Sequence, residues 1–386
     1  MLTAEGITLD WESDAGDPKG TFDLKTEIVS IDYALAENRV GVMQIRFMPC
    51  EKAEDIQEWD RFCLNFSDGC GGDPVLEGET AWYTLKIRNT RNVSGVFVTV
   101  WAYTANVLAE CRSIPAYAEL PQAKKTGAGD DLIKEIWLEN FGAGAVGASN
   151  GAMIGVPARD WSAHVGVEAN ASAAPVVSKA MSWRKQVFAV MVEIAEDSTR
   201  LGTPLFFDII KNGRRMLFIT RTVSRGENRL FGQSVEPLVL SVDNGRLTES
   251  SYTRDHRDEF TFAYAAGRGE ETARQHSEAD DPDRIALTVF GRRETVRDAR
   301  NTHDPSVLVD EARSAVVAGR PERILDVVLS PDFLAEYNKT WAWGDLVTMT
   351  HGNTTVAAAI SKVSVTIQEN VVSVEPTIVE RYGFTL

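Results

Sequence analysis

The sequence predicts an α+β fold in which antiparallel β-strands dominate. Most extended segments occur in adjacent pairs separated by short turns, which is the pattern of β-hairpins. Three helical segments are scattered among them, and the strand–helix–strand alternation of a parallel sheet is missing. With 386 residues, of which 44% are hydrophobic, the chain is expected to form two or three packed units rather than one core.

The N-terminal part of the chain predicts paired strands. Residues 27–35 and 40–48 are extended segments separated by a short polar turn. In the second segment Met43, Ile45 and Phe47 alternate with more polar residues, the two-residue period of a strand with one buried face. Aromatic and β-branched residues predict further strands over residues 58–66, 81–88 and 96–103.

Two helices are predicted in the middle of the chain from capping residues and apolar periodicity. The first is capped by Asp130 or Asp131 and ends before Gly142. The second is capped by Ser182 and ends near Leu201, with one apolar stripe at helical spacing.

The C-terminal half combines one helix with several strands. The helix covers 305–318, with Asp304 as its N-cap and Gly319 at its end. Asn212 and Gly213 predict a type I′ hairpin turn. Strands are predicted over residues 205–211, 216–221, 238–242, 259–264, 284–290, 324–329, 345–351, 355–367 and 371–378.

Charge and targeting features restrict the class of protein. Lys and Arg number 40 and Asp and Glu number 56, so the formal net charge is −16. Such a chain is a poor candidate for coating nucleic acid, because contacts to phosphates need clustered cations. The N-terminus lacks the pattern of a signal peptide, and no apolar run is long enough for a membrane-spanning helix.

The cysteines indicate a reducing compartment. Cys50, Cys63, Cys70 and Cys111 include no CxxC pair, so zinc-ribbon and thioredoxin-like sites lack their spacing. We expect mostly buried thiols in a chain made in the cytoplasm. Pairing of Cys63 with Cys70 stays open.

Two short motifs match chemical signatures without the required context. Residues 142–147 match GxGxxG, but a helix precedes these glycines where a dinucleotide site needs a strand before and a helix after them. Residues 147–151 match GxSxG around Ser149, but no apolar strand precedes the serine. We expect neither a nucleotide site nor a hydrolase site here.

Other candidate ligand sites are also weak. Asp280, Asp281 and Asp283 could offer oxygen ligands to a cation, but they lack EF-hand spacing, and a solvated acidic loop is the favoured interpretation. The five histidines show no HxH or HExxH spacing. Trp341 and Trp343 could form a sugar-stacking platform, although packing in a core or subunit interface is favoured. We expect no catalytic residue, no metal and no cofactor.

Several short blocks occur in an order that is typical of one family. They are NVLAECRSIPAY at 106–117, KTGAGDDLIK at 125–134, ENFG at 139–142, GRRETVRDAR at 291–300 and WGDLVT at 343–348. In this order the blocks resemble the siphophage tail-hub family, whose members are similar to the central baseplate hub of contractile phage tails. The resemblance covers roughly residues 20–380 and rests on the order of the blocks.

The resemblance implies a trimeric ring in which each subunit contributes two tube-like β-barrels. The first barrel would come from residues 1–118, and the second from 203–224 together with 285–386. Residues 119–202 would form a helical peripheral domain, and 225–284 an inserted peripheral segment. Barrels that are partly open can pair their edge strands between subunits, which removes exposed edges.

The same blocks supply candidate structural or interface residues. Gly127 is expected to turn the chain before a capped helix, and Gly344 to turn it into a strand. The alternating charges after residue 292 suit an ion-paired seam, or equally a solvated strand. The full set is Arg112, Gly127, Asp131, Arg293, Glu294, Asp298, Arg300, Trp341, Trp343, Gly344 and Asp345.

The resemblance further implies a structural virion protein. It would close the distal tail tube, join it to tip or fibre proteins, and form the channel for DNA ejection. Its partners would be its own copies, a distal tail or tail-tube protein, a tape-measure protein, and tip or fibre proteins. DNA would touch it only in transit through an acidic lumen. The protein would be made in the bacterial cytoplasm and reside at the tail tip.

Two other functions remain open. One is the hub of a bacterial contractile injection system or gene transfer agent, which genomic neighbours would distinguish. The other is a tail-associated hydrolase or carbohydrate-binding protein, which predicts convergent carboxylates in a cleft. No carboxylate pair singles itself out, and no C-terminal hydrolase extension is expected beyond Leu386.

Overall fold

The computed structural model describes most of the chain. The described residues are 2–3, 7–66, 80–114, 122–143, 160–182, 185–270, 274–300, 304–369 and 371–381. Strands dominate and most of them pair antiparallel, so the predicted α+β class is confirmed. No helix in these ranges is long and apolar enough to cross a membrane.

The described residues form twenty-three strands and seven helices. The strands are β1 (Leu2–Thr3), β2 (Ile7–Glu12), β3 (Pro18–Phe22), β4 (Ile28–Ala36), β5 (Val42–Phe47), β6 (Arg61–Phe66), β7 (Ala81–Asn92), β8 (Gly95–Thr104), β9 (Gln122–Ala128), β10 (Val165–Val167), β11 (Val176–Ser182), β12 (Leu205–Asn212), β13 (Arg215–Thr222), β14 (Asn228–Arg229), β15 (Val239–Leu240), β16 (Leu247–Asp255), β17 (Phe262–Ala266), β18 (His276–Asp280), β19 (Glu294–Asp298), β20 (Glu322–Leu329), β21 (Leu346–His351), β22 (Thr354–Gln368) and β23 (Val371–Glu380). The helices are α1 (Glu51–Glu54), α2 (Val107–Glu110), α3 (Gly129–Phe141), α4 (Val187–Arg200), α5 (Pro282–Ile285), α6 (Pro305–Ala318) and α7 (Pro331–Leu334).

One large sheet joins the two ends of the chain. Its thirteen strands follow the order β1-β23-β22-β4-β5-β8-β7-β6-β2-β3, with β21 beside β22 and the short β14 and β15 beside β21. The central pairing is between β22 and β4, where residues 362–368 run antiparallel to 30–36. Strands assigned to both predicted barrels therefore share one sheet.

The large sheet buries one face around an aromatic and aliphatic core. Along β5, Met43, Ile45 and Phe47 are fully buried while their neighbours face outward, as the alternation predicts. The rings of Phe22 and Phe47 lie 4.7 Å apart inside this core. Val365 of β22 joins the same cluster, so residues from both ends of the chain exclude water from one core.

A helical layer packs beside the large sheet. The apolar stripes of α3 and α4 face each other and the small sheet β10-β13-β12, with Trp137 stacked on Phe141 and Phe218. The β12–β13 hairpin, expected to join the second barrel, pairs instead with β10 and packs on these helices.

Two smaller units lie outside these layers. Strands β16 and β20 form a two-stranded ribbon, and β18-β17-β19 form a sheet covered on one face by α6. Both units combine strands from before and after residue 284, so their pairing crosses the boundary that the sequence predicted there.

Helix α6 matches its prediction at both ends. It covers Pro305–Ala318, Asp304 accepts the backbone N–H of Ser306 as N-cap, and Gly319 follows the last turn. The other two predicted starts are wrong. Helix α3 has Ala128 as its N-cap residue, and α4 begins after Gln186, because residues 181 and 182 extend β11 against β9.

Two local predictions in the C-terminal half are also wrong. Residues 282–285 form α5, capped by Asp281, where residues 284–290 were expected to form a strand. In the β12–β13 hairpin, Asn212 pairs with Arg215, so the turn residues are Gly213 and Arg214. Of these two only Gly213 has a positive φ, which fits a type II′ turn rather than type I′.

The β7–β8 hairpin offers a matched test of sheet burial. Val100→Ala should lower the free energy of unfolding by about 2 kcal/mol, since two methyl groups leave a fully buried site. Val93→Ala, in the exposed turn of the same hairpin, should change it by less than about 0.5 kcal/mol. Guanidinium denaturation measures both variants. Equal losses would contradict the buried face of β8.

Candidate functional site

The two ends of the chain meet at a bulge in β22. At Ser361 the register of β22 against β23 shifts by one residue. Before the bulge β22 pairs with β21, and after it β22 pairs with β4 on the same edge. The carbonyl of Ser361 accepts the backbone N–H of Glu37 at 3.2 Å and the indole N–H of Trp343 at 3.3 Å. We call Glu37, Ser361 and residues 343–345 the β22 junction.

Gly344 allows two backbones to approach closely in the β22 junction. Its φ is +89°, and its carbonyl accepts the N–H of Gly226 at 2.8 Å. A Cβ on Gly344 would lie 2.8 Å from the nitrogen of Gly226 and from the side chain of Arg225. The position therefore requires glycine for both conformation and space.

Asp345 is fully buried and binds two neighbouring segments. Its carboxylate accepts the backbone N–H groups of Ala342 at 3.0 Å and Glu227 at 2.9 Å, and pairs with Arg229 at 3.1 Å. Burial raises the pKa of Asp345, and these hydrogen bonds and Arg229 oppose that rise. The carboxylate holds residues 227–229 against the turn that leads into β21.

Two arginines connect the helical layer to the β22 junction. The guanidinium of Arg225 lies 3.9 Å from the centre of the Trp343 ring and pairs with Asp208 of β12 at 2.7 Å. Arg381 pairs with Glu37 and lies over Phe206, also on β12. Burial raises the pKa of Glu37, and Arg381 opposes this effect.

Trp341 and Trp343 are packed inside the chain. Trp341 stacks on Phe333 with ring centres 5.1 Å apart, and its indole N–H donates to the Phe333 carbonyl at 2.8 Å. Both side chains are buried, so neither offers a free face on which a sugar could stack.

Arg112 closes the C-terminal end of α3. Its guanidinium donates to the carbonyl of Asn140 and lies 4.6 Å from the ring centre of Phe141 and 4.1 Å from that of Trp161. A cation at this position also complements the partial negative charge of the helix end.

Asp131 lies in the first turn of α3 and Gly127 in β9, and both have roles different from those expected. Asp131 accepts hydrogen bonds from the N–H of Ala171 and from the N–H and hydroxyl of Ser172. Partial burial acts to raise the pKa of Asp131, but these bonds bring it below its ordinary value. Gly127 lies within β9 opposite Val177 with open space beside its Cα, so the turn predicted there is wrong.

The alternating charges of β19 pair locally. Arg293 donates to the carbonyl of His256 at 2.5 Å, and Glu294 pairs with Arg292 at 2.6 Å. Asp298 pairs with Arg274 at 2.5 Å and with Arg300 at 3.2 Å. These contacts lie in the β18-β17-β19 unit and its flanks, and most of the side chains involved are exposed.

A buried charge cluster that was not predicted from the sequence lies between the large sheet and the helical layer. Arg61 is almost completely buried, pairs with Glu12 at 3.3 Å, and donates to the carbonyl of Arg214 at 3.0 Å. Glu12 also pairs with Lys211 at 2.5 Å. A Cβ at Gly16 would lie 1.7 Å from the Arg61 guanidinium. The sequence feature that could have indicated this cluster is a single arginine at the start of an otherwise apolar strand.

The second face of the large sheet is open and polar. Outward-facing residues from six neighbouring strands lie in register across it. Its ionisable residues in the described strands are four cations and two carboxylates, and hydroxyl and amide side chains fill much of the remainder. The ionisable residues are Arg46, Lys86, Arg88, Lys362, Asp32 and Glu375.

The acidic segment at 280–283 lies within the described residues, where it caps and begins a helix. Asp281 caps α5 and pairs with Arg284 at 2.9 Å. In the described ranges, no three His, Cys, Asp or Glu side chains cluster closely enough to hold a metal. Ser149, Cys70 and most of the two glycine motifs lie outside the described residues, so the question of a Cys63–Cys70 pair stays open.

With this geometry, the chain has the fold of phage tail proteins. It is similar to the tail protein from Neisseria meningitidis MC58 (TM-score 0.54, 10% identity, covering 98% of this chain and 97% of that one). It is similar to the 43 kDa tail protein of prophage MuSo2 from Shewanella oneidensis (TM-score 0.53, 8% identity, covering 97% of this chain and 99% of that one). It is also similar to the prophage tail protein gp18 from Listeria monocytogenes EGD-e (TM-score 0.52, 9% identity, covering 98% of this chain and 95% of that one).

These similarities concern structure rather than sequence. No protein-family model matches the chain, and no curated protein matches it. At identities of 8–10% the likeness establishes the fold, and it confirms at that level the resemblance predicted from the sequence blocks.

Removing the charge of Asp345 should weaken the β22 junction. Asp345→Asn places an amide N–H against the donors of Ala342 or Arg229, so the free energy of unfolding should fall by about 3 kcal/mol. Asp326→Asn, at an exposed position of β20, should leave it within about 0.5 kcal/mol. Guanidinium denaturation tests both, and a neutral Asp345→Asn would contradict the structural role.

Cys63 should be chemically inert in the folded protein. Burial raises the pKa of its thiol to about 11, against the opposing effect of Lys211, so almost no thiolate is present at neutral pH. Peptide mapping after iodoacetamide treatment should find Cys63 unlabelled and the exposed Cys111 labelled. In guanidinium both should react.

The buried thiol of Cys63 also predicts a pH dependence of stability. As the pH rises, the thiol ionises in the unfolded chain before it ionises in the folded protein, so its contribution to the free energy of unfolding should fall above its ordinary pKa of 9.0.

Proposed function

We propose that this protein is a structural hub at the tip of a phage tail. Copies of the chain would form a trimeric ring that closes the distal tail tube and leaves a channel for DNA. The observation that supports this proposal most directly is the continuous large sheet, with one buried face and one polar face spanning both ends of the chain.

The polar face has the properties of a channel wall. Its residues are mainly hydroxyls and amides with a few charged side chains, and such groups stay hydrated and interact weakly with a passing polymer. Four cations against two carboxylates give it no excess of acid, so the acidic lumen expected from the net charge does not belong to this face. The proposed wall is hydroxyl-rich with a few cations, among them Arg46 and Arg88.

The ends of the sheet offer contacts between copies. In the described residues β23 pairs with β1 only at Val371 and Val372, so its outer edge beyond these residues has no strand partner. Pro376 lies on this strand, as prolines do on edge strands, where it limits unspecific pairing. The opposite end of the sheet is β3.

The remaining partners follow from the position of such a ring. A distal tail or tail-tube protein would bind on one side, tip or fibre proteins on the other, and a tape-measure protein inside. The protein would be made in the host cytoplasm and function in the virion. The same architecture could serve a contractile injection system or gene transfer agent, and the genes beside this one would decide between them.

The enzyme alternative has less support. A hydrolase needs a carboxylate with a raised pKa that faces a cleft. The two most buried carboxylates with raised pKa values, Glu37 and Asp345, are each paired with an arginine within the fold. Neither is placed to transfer a proton to a substrate.

The ring is tested by mass and shape. Light scattering should give about three times the chain mass of 42.5 kDa, alone or after mixing with the tail-tube protein of the same genome, and negative stain should show a central hole. A monomer that also fails to bind the tail-tube protein would contradict the hub function.

The position of the polar face is tested by labelling with reagents of different size. Thr366→Cys lies on the open face, whereas Asp326→Cys lies on the β16–β20 ribbon. In a Cys111→Ser background, the assembled ring should react with a small maleimide at both positions. A maleimide on a large polymer should reach only Asp326→Cys. Equal polymer labelling at the two positions in the ring would place the face outside the channel.

A further inference from the structure

A cavity of about 300 Å³ lies between the large sheet and the helical layer. Its volume is at the lower limit of small-molecule sites, and such sites are frequent where two layers meet. Three aromatic side chains line it together with several polar groups. Six of its lining residues are Asp14, Trp59, Tyr83, Cys111, Trp161 and His164.

Trp59 is held at this cavity by a strained turn. Its φ is +69°, a conformation that bulky residues rarely adopt and that persists only where surrounding contacts enforce it. The enforcing group is the buried carboxylate of Asp60, which accepts hydrogen bonds from the Trp11 indole, from Lys19 and from the N–H of Gln57 at 2.7–2.9 Å. The result is an indole that is 36% exposed and 6.1 Å from the Tyr83 ring.

Several polar groups at the cavity are available to a ligand. Within the described residues, the indole N–H groups of Trp59 and Trp161 and the imidazole of His164 make no hydrogen bond. Asp14 uses one carboxylate oxygen for the N–H of Ala15 at 2.8 Å. Donors and an acceptor therefore lie beside aromatic surfaces, the combination found in specific small-molecule sites.

The charges around the rings favour a neutral ligand. Arg61 lies 5.9 Å from the centre of Tyr83, and Arg112 lies 4.1 Å from the centre of Trp161. A ring that already faces a guanidinium attracts a second cation less strongly. A saccharide ring combines apolar C–H faces, which stack on aromatics, with hydroxyl edges that bind carboxylates and N–H donors.

We propose that this cavity binds a saccharide, with Trp59 as the stacking platform and Asp14 as a hydroxyl acceptor. The proposal is independent of the ring function. Saturation-transfer NMR should be run with the methyl glycosides of glucose, galactose, mannose and N-acetylglucosamine. At least one glycoside should receive saturation at its C–H protons. Trp59→Ala and Asp14→Asn should each weaken its binding by roughly tenfold or more.

Matched controls separate binding from folding. Trp101→Ala removes an aromatic from the open face, and Asp17→Asn removes a carboxylate from the same loop outside the cavity; both should bind as the wild type does. Trp59→Gly should stay folded while losing the ligand, because glycine adopts a positive φ without strain and this offsets part of the lost packing. Its circular dichroism spectrum should match that of the wild type.

Two outcomes would overturn the proposal. One is that no glycoside receives saturation from the wild-type protein, or that binding is unchanged in both Trp59→Ala and Asp14→Asn. The other is that a proline-rich peptide binds in a Trp59-dependent manner while the glycosides do not, which would make the cavity a peptide-docking site.

Discussion

The pairing of β22 with β4 is the contact on which the rest of the structure depends. It joins strands more than 300 residues apart in the chain into one sheet, and so places Ile367 opposite Ile31 in one core. Closing so long a loop is costly in chain entropy. The burial of apolar surface offsets this cost only when both flanking hairpins bury their apolar faces together. The bulge at Ser361 lets the same strand serve β21 and β4 in succession.

Buried charges then fix how the layers are placed relative to one another. Arg61 spans from the large sheet to the β12–β13 hairpin, and Arg225 and Arg381 reach the same hairpin from the β22 junction. Such groups stabilise little in net terms, because desolvation offsets most of the attraction. A layer that shifted would leave these charges unpaired in a dry environment. They therefore specify one arrangement of the layers among several that would bury similar apolar area.

The same arrangement creates the two surfaces to which we assign function. The open face of the sheet exists because the helical layer covers only one end of it, where Tyr83 and Cys63 contact that layer. The cavity at Trp59 exists because the sheet and the helical layer do not pack tightly around the loop that contains Gly16. Both surfaces combine residues from distant parts of the chain, and neither has a continuous sequence motif.

The sequence by itself determined the elements whose signals are local. The alternation in β5 defined its buried face, Asp304 and Gly319 defined α6, and the order of short blocks indicated the tail-protein fold. Only the tertiary structure decided the partners. Residues 181 and 182 became strand rather than helix because β9 was available, and the β12–β13 hairpin joined the helices because its apolar face fits theirs. Strand pairing depends on which surfaces meet in space, and a pattern of residues specifies a face without specifying what covers it.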